Sequence, residues 1–452
     1  MGSSAVFGGR GRAHAVVIGG GISGLFTARV LADTYAVVSV LDRDALPSAP
    51  VARRGVPQGQ HAHALLTRGL RAIEELFPGF EAELDALGVP FGDGQADIHY
   101  YNNGHRLSPA VSGFTAVAVS RPLLEHIVHS RVAADPRIRI LGSHSVTGLI
   151  GTAAKDRVAG VHVYAGQSGT ESTLEADLVV DAGGRGRQSP RWLAELGHRA
   201  VPEQTVPVGM TYVTRRYRYD ERLLDGSLAV ILSSYPGQLY GGAVGREDSD
   251  RIVLGLQAMI GEELPTDEDG MAAVADRLND RRLARVIRLG EPLGPPAKMR
   301  YPVSVRRRYE RLRGFPDGYL VVGDALCSFN PIYAQGMTVA ALEALLLRDL
   351  LRDGTDGLAR RFFRRAAKLI DSPWSIATGS DLRFPQIEGQ RPPGARLANA
   401  YLDRYHAAAA ADPALGTAFL RVANLIDPPA RLFDPRLMVR VGRATRRRAA
   451  DR

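Results

Sequence analysis

Apolar and polar positions along this chain follow two periods, and the switches between them divide it into regions. Near the start, "AVVIGGGISGLFTARVLADTYAVVSVLDRD" holds a β-branched run, Val16 to Ile18. A glycine turn, an apolar helical run from Leu25 to Leu31 and a second buried run from Val37 to Leu41 follow. "ADLVVDAGGRGRQSPRWLAELG" predicts a buried strand ending at Asp181, a Gly/Arg turn and a helix entered through Ser189-Pro190. "LVVGDALCSFNPIYAQGMTVAALEALLL" reads as a strand, an uncharged loop after Asp324 and a helix. Between 201 and 296 the period shortens. "VGMTYVTRRYRY", "LAVILSSYP", "QLYGGAVG" and "RIVLGLQAMIG" alternate as strands with mixed faces, and two helical stretches occupy about 267–289. Past Gly354 the chain is Ala- and Arg-rich and helical, with no heptad sustained long enough for a coiled coil.

This pattern predicts an α/β protein. A discontinuous Rossmann-like domain takes 13–95, 120–200 and 297–353, an inserted mixed or antiparallel β-sheet domain takes 96–119 and 201–296, and a C-terminal helical region takes 354–452. Gly19, Gly21 and Gly24 form G-x-G-x-x-G between the first strand and helix, and Asp42 ends the second strand. In such a unit the first glycine makes a tight turn, the second admits a pyrophosphate and the third lets helix and strand pack closely. The free N–H groups at the helix start meet phosphate. An acid at Asp42 suits a ribose with a free 2′-hydroxyl, as in NAD or FAD. With 49 glycines the spacing alone is weak; the strand, helix, strand and acid around it make it specific.

The 452 residues carry 57 Lys and Arg against 48 Asp and Glu, a net +9, mostly arginine and partly in the tail "RVGRATRRRAADR". That balance suits a basic surface or the attraction of anionic partners such as a carrier protein or nucleotide cofactor. Without aromatic clustering it does not make a nucleic-acid module. Cys327 is the single cysteine, which excludes an internal disulfide and a Cys-cluster metal site and suits the cytoplasm. No run of about 20 apolar residues predicts a spanning helix, and glycines interrupt the first apolar run where a signal peptide needs continuity.

The fingerprint, the mid-chain "VVDAGGRGRQS" and the late "LVVGDALCSFNP", in this order, resemble flavoprotein monooxygenases of the para-hydroxybenzoate hydroxylase type. "RRGVPQGQHAHALLTRGLRAIEELFPG", "VSRPLLEHIV", "PWSIATGSDLRFPQIEG" and the Asn-Pro-x-Tyr loop resemble the branch containing the polyether-pathway flavin epoxidases of lasalocid and monensin type. The resemblance implies FAD, with NADPH or NADH as reductant. It places Gly19, Gly21, Gly24, Asp42, Arg43, Arg54, Gln60, Arg121 and Asp181 at the cofactor, together with Gly323, Asp324, Pro331, Ala334, Gly336 and Met337. Asp324 is expected at the ribityl chain and Asp181 near the pyrophosphate. Gln60 and Ala334 depart from the branch, which usually has Arg and Gly there.

The implied reaction is epoxidation of an alkene in a polyketide-like substrate, free or carrier-bound, through a flavin C4a-hydroperoxide. A helix starting near Gln335 to Thr338 would stabilise charge on reduced flavin. The middle region shows no tight acid/base cluster, as suits an alkene, whereas a phenol profits from a base. Two other reactions stay open: a non-redox cyclisation of the [4+2], decalin-forming type on retained FAD, and aromatic hydroxylation. The tryptophan-rich signature of flavin halogenases is absent.

Met210, Tyr212, Leu232, Tyr240, Leu256, Trp374 and Phe384 are candidates for the substrate cavity, although the inward face of the pleat is not legible. Trp374, Phe384 and Pro385 bracket Asp381 and Arg383, as core packing or as cavity wall. His61 and His63 lack further ligands for a metal, so none is expected. The Arg run at 304–312 reads as a solvated edge or as steering for an anionic nicotinamide cofactor.

Overall fold

The structure is a computed structural model and describes residues 14–450, with side chains to 446. Position 13, the expected start of the first domain, and the last residues of the Arg-rich tail lie outside the described residues.

The strands that lead into the three glycine-containing motifs lie together in one parallel sheet. Its order is Tyr319–Val321, Leu178–Asp181, His14–Ile18, Val37–Leu41, Ile138–Leu141. Val16, Val17, Val38, Val40, Val179 and Val180 are wholly buried, as unbroken apolar strands covered on both faces must be. The helices Ile22–Leu31, Gly336–Arg352 and Thr67–Leu76 pack together over this sheet. The turn between first strand and helix explains the glycine spacing. Gly19 has φ +98°, where a Cβ would sit 2.7 Å from the Ala182 carbonyl oxygen. A Cβ on Gly24 would lie 1.8 Å from the Gly19 carbonyl oxygen. The same atom on Gly21 would meet only Arg53 Nη2, at 3.9 Å.

The middle region forms a seven-stranded sheet, ordered Ala297–Tyr301, Met210–Arg218, Arg251–Ala258, Tyr240–Glu247, Ala229–Leu232, Ile98–Asn102, His105–Arg106. All neighbours are antiparallel except Ala229–Leu232 with Ile98–Asn102. One expected boundary is corrected: Ala297–Tyr301 pairs with Met210–Arg218, so the chain leaves this sheet one strand later than 296. One face packs Val213, Tyr217, Val230, Leu254 and Ile252 against the helices Glu268–Ala275 and Arg282–Leu289. The other face looks toward the turns at Gly19–Gly21, Asp181–Arg185 and Gly323–Asp324 across one cavity.

Four helices follow Gly336–Arg352: Leu358–Asp381, Ala395–Ala409, Pro413–Ala423 and Pro435–Ala450. They close the free end of the seven-stranded sheet through Asn103 Nδ2 to Asp403 (2.7 Å) and Gln95 Nε2 to the Pro413 carbonyl (3.1 Å).

Gly24→Ala should lower the melting temperature sharply, because the helix must lift off the turn, a strain on the order of 3 kcal/mol. Gly21→Ala, with open space for its methyl, should leave that temperature almost unchanged; calorimetry of the two variants checks the contrast.

Candidate active site

The glycine turn makes a cradle. The helix Ile22–Leu31 has neither a side-chain cap nor an acid in its first turn, so its leading N–H groups have no side-chain acceptor. Two polar groups beside it are buried without partners, Ser23 Oγ and Arg53 Nη2. Arg53 is held there by acids: Nη1 donates to Asp42 (3.1 Å) and Asp44 (3.3 Å), and Nε lies 3.8 Å from Glu125. Asp42 also accepts from the N–H of Gly20 (2.7 Å) and of Asp44 (2.9 Å). Its first duty is therefore to fix the turn and Arg53. Arg43 is exposed at the cavity mouth beside it. The expectation for Arg54 is corrected: its side chain is exposed and off the cavity wall, and Arg53 takes the place at the cradle.

The two later motifs meet the cradle from the same end of the sheet. Asp181 is buried and accepts from the Gly183 N–H (2.7 Å) and from Ser189 Oγ, which also pairs with Tyr319 OH (2.6 Å). Burial pushes its carboxyl upward. Asp324 is half-buried on the cavity wall and accepts no hydrogen bond from the described residues. Burial raises its carboxyl too, against the opposing field of Arg185 and Arg121. Arg121 is buried, with Nε and Nη2 on Glu125 Oε1 at 2.8 and 2.6 Å. The position of a Cβ on Gly336 lies 3.9 Å from Asp324 Oδ1, so the carboxyl adjoins the start of the helix Gly336–Arg352. That helix has no side-chain cap and no acid in its first turn. Behind it Glu343 is buried, accepts from the Gly323 N–H (2.7 Å) and leaves Oε1 unpartnered. Burial lifts its carboxyl to about 8.

Pro331, Ala334, Gly336 and Met337 lie on the wall of the same cavity. Ala334 has φ +54°, in the left-handed region that favours glycine. The loop thus keeps the glycine-type backbone, and the methyl costs roughly 1 kcal/mol. Gln60 does not face the cavity: its side chain is exposed and its carbonyl accepts from Arg216 Nη1 (3.0 Å). The departure there is outside the site, which corrects its assignment to the cofactor.

The cavity measures about 1070 Å³ and runs from Gly19 and Asp42 past Asp324 to the C-terminal helices, where Leu402, His406 and Phe419 line it. The register of the seven-stranded sheet decides which residues face inward. Tyr212 lies opposite Gln257, Thr214 opposite Gly255, and Gly255 opposite Ala243, all on the cavity wall. A Cβ on Gly255 would meet nothing nearer than Ala62 at 3.6 Å, so this face is open. Met210, Tyr212 and Phe384 are on the wall. Leu232 and Leu256 touch it but belong to the buried cluster on the opposite face. Tyr240 is a correction: it packs on that opposite face, donating to Glu262 (3.0 Å) under the Arg277 guanidinium. Trp374 is another, standing behind the wall with its ring 6.3 Å from Phe329.

His61 Nδ1 pairs with Thr214 Oγ1 (3.1 Å) and its ring meets Tyr212 edge-on at 4.4 Å. His63 Nδ1 donates to the His61 carbonyl (2.9 Å), and burial drives its pKa down to about 3. No cluster of potential metal ligands exists among the described residues. The Arg run divides: Arg311 is exposed, and Arg308 is half-buried and pairs with Glu310. Arg306 and Arg307 are buried, tied to Asp371 (2.7 Å) and to Glu203 (3.1 Å) and the Ala325 carbonyl (2.7 Å).

No family model matches the chain. Protein Rv3254 of Mycobacterium tuberculosis is 36% identical over 430 residues, covering 92% of this chain and 90% of that protein. The chain belongs to the family of Protein Rv3254. A kynurenine 3-monooxygenase of Salinispora arenicola is 28% identical over 402 residues, 83% of this chain and 81% of that one. Among solved structures, PqsL, a probable FAD-dependent monooxygenase from Pseudomonas aeruginosa, superposes with TM-score 0.61 at 18% identity, over 82% of this chain and 97% of its own. The fold of this family member is that of the FAD-dependent monooxygenases. The site fits FAD by its own geometry: the side-chain-free space at Gly21, the unpartnered Arg53 Nη2 and Ser23 Oγ, and the unpartnered Asp324 carboxylate lie along one cavity. Arg53, Arg185 and Glu343 were not singled out from sequence. Their signal was slight: arginines in turns beside the motifs, and one acid in an apolar helix.

Asp324→Ala should lower bound flavin without lowering the stability of the flavin-free protein, since none of the described residues donates to this carboxylate; flavin absorbance and melting curves read both. Glu343 has a folded pKa above its unfolded value, so its contribution to stability is lost as pH rises from about 4.5 to about 8. Glu343→Gln should therefore flatten the decline in melting temperature across that window.

Proposed function

We propose that this protein is a FAD-dependent monooxygenase that inserts one oxygen atom into a largely apolar small molecule. The observation that carries this reading is the continuity of one cavity from the phosphate cradle, past the unpartnered Asp324, to an apolar wall. FAD, when bound and reduced by NADPH or NADH, supplies the activation of O2 and the transfer of one oxygen atom.

The chain's own residues do the rest. Gly21, Arg53 and the start of the helix Ile22–Leu31 hold pyrophosphate. Asp324 accepts a hydrogen bond from a ribityl hydroxyl. The uncapped N–H groups at Gly336 to Thr338 would hold negative charge on a flavin bound beside them. Phe329, Met210, Phe384 and Leu382 keep that edge dry.

Epoxidation of a polyketide-type alkene needs only this dry wall, and the likeness to the polyether-pathway branch supports it. Hydroxylation of a phenol or enol is the second reading. It is supported by Tyr333 on the cavity wall, whose hydroxyl donates to the buried Asp381 (2.8 Å), outside the middle region. Non-redox cyclisation loses its motivation, because Gln60 is off the cavity and Ala334 keeps the glycine-type backbone.

The test is mass spectrometry of products formed by the FAD-loaded protein, NADPH or NADH and isotopically labelled O2 with apolar metabolite extracts. A product heavier by one labelled oxygen, with matching nicotinamide consumption, is the expected result. An isomer of unchanged mass, formed without nicotinamide, overturns the reading.

A further inference from the structure

The cavity ends at the C-terminal helices, and a polar pair stands there among apolar and aromatic side chains. Asn102 closes the strand Ile98–Asn102, and His406 lies on the helix Ala395–Ala409. Both are on the wall, and they are only 9% and 3% exposed. Tyr100, Leu402 and Phe419 line this end with them. The Phe419 ring stands edge-on to His406 at 5.0 Å and to Tyr100 at 5.9 Å.

Asn102 Nδ2 lies 3.2 Å from Nδ1 and 3.3 Å from Nε2 of His406. A neutral imidazole has one accepting nitrogen and one N–H, so only one of these contacts is a hydrogen bond. The other ring nitrogen carries a proton that no described residue accepts. No described residue donates to Asn102 Oδ1. Turning the Asn102 amide over reverses the roles and leaves the same remainder, one donor and one acceptor. Burial keeps the ring neutral, with a pKa of about 3, and the fields of Arg383 and His105 act in the same direction. Arg383, on the same wall, brings no free charge, because it is committed to Asp403 (2.6 Å) and Asn103 (3.0 Å). Water can serve both members of the pair, so a ligand that displaces it must bring a donor and an acceptor of its own.

We propose that Asn102 and His406 form a subsite for an uncharged carboxamide of the substrate, a primary amide or a lactam. Such a group presents its C=O and N–H on one edge and answers both side chains at once. A ketone or ester brings no donor. A carboxylate brings none either, and finds no free cation here. An open-chain secondary amide carries its two groups on opposite edges. The inference rests on the monooxygenase reading and adds a class to its substrate: an apolar body held by an amide at the end of the cavity away from the phosphate cradle.

The experiment uses the FAD-loaded protein and its His406→Phe and Asn102→Leu variants, with three probes of one shape. 2-Naphthamide has both groups, 2-acetylnaphthalene keeps only the carbonyl, and 2-isopropenylnaphthalene has neither. Calorimetry on the parent protein should rank them in that order, the amide binding at least about tenfold tighter than the hydrocarbon. The ranking should collapse in both variants, while equal binding of the hydrocarbon by all three proteins shows the cavity intact. Nitrogen NMR of ring-labelled histidine, assigned through His406→Phe, should show the His406 signals move with the amide and stay with the hydrocarbon. If a variant loses the hydrocarbon too, the parent ranking and the NMR shift decide alone. Equal affinity of the parent protein for amide and hydrocarbon, a preference that survives in either variant, or no binding of any probe overturns the proposal. Failure to take up FAD instead defeats the monooxygenase reading, while the probe ranking still reports on the pair.

Discussion

The helix Ile22–Leu31 lies directly on the carbonyl oxygen of Gly19, an approach open only because Gly24 has no side chain. The rest of the site follows from that contact. It sets the helix start at the carboxyl end of the central strand, so its N–H groups point into the cavity. The strands ending at Leu41, Asp181 and Val321 run parallel in the same sheet and finish at the same edge. Asp42, Asp181 and Asp324, 282 residues apart from first to last, are gathered there by sheet topology. This is where open α/β sheets bind ligands, outside the carboxyl ends of their strands.

Electrostatics divides these acids by task. Asp42 is neutralised by Arg53, which it holds against the cradle. Asp181 is spent on its own turn, through Gly183 and Ser189. Asp324 alone is left unpartnered on the wall, with the fields of Arg121 and Arg185 reaching it. Glu343 and Asp381 lie deeper, without a cation, and burial raises both. Placing two such carboxyls near the loop 330–337 costs stability, and it puts proton-holding groups close to a segment of the cavity wall.

The seven-stranded sheet acts as a roof because its two faces differ in side-chain size. Toward the helices Glu268–Ala275 and Arg282–Leu289 it presents Val213, Tyr217, Leu254 and Leu256. Toward the cavity it presents Thr214, Ala243, Gly245 and Gly255. Large residues fill one side and small ones leave room on the other. The C-terminal helices then close the end of that room with Leu402 and Phe419.

Local pattern carried the elements. The glycine fingerprint, the strands before Asp42, Asp181 and Gly323, the four middle strands and the helical tail were all legible, because each depends on neighbours a few residues away. The same logic made Gly21 and Asp324 recognisable, since motif chemistry lies next to its strand. Facing was not legible. A strand with apolar residues on both faces does not declare its inward side, so Tyr240, which packs on the opposite face, could not be told from Tyr212 on the cavity wall. Nor could sequence choose Arg53 over Arg54, because that depends on which side chain Asp42 and Asp44 can reach. Asp381 stood in an odd stretch without a partner. Its partners, Asn330 and Tyr333, lie 51 and 48 residues away, and only the folding of the last helices onto the loop brings the three together.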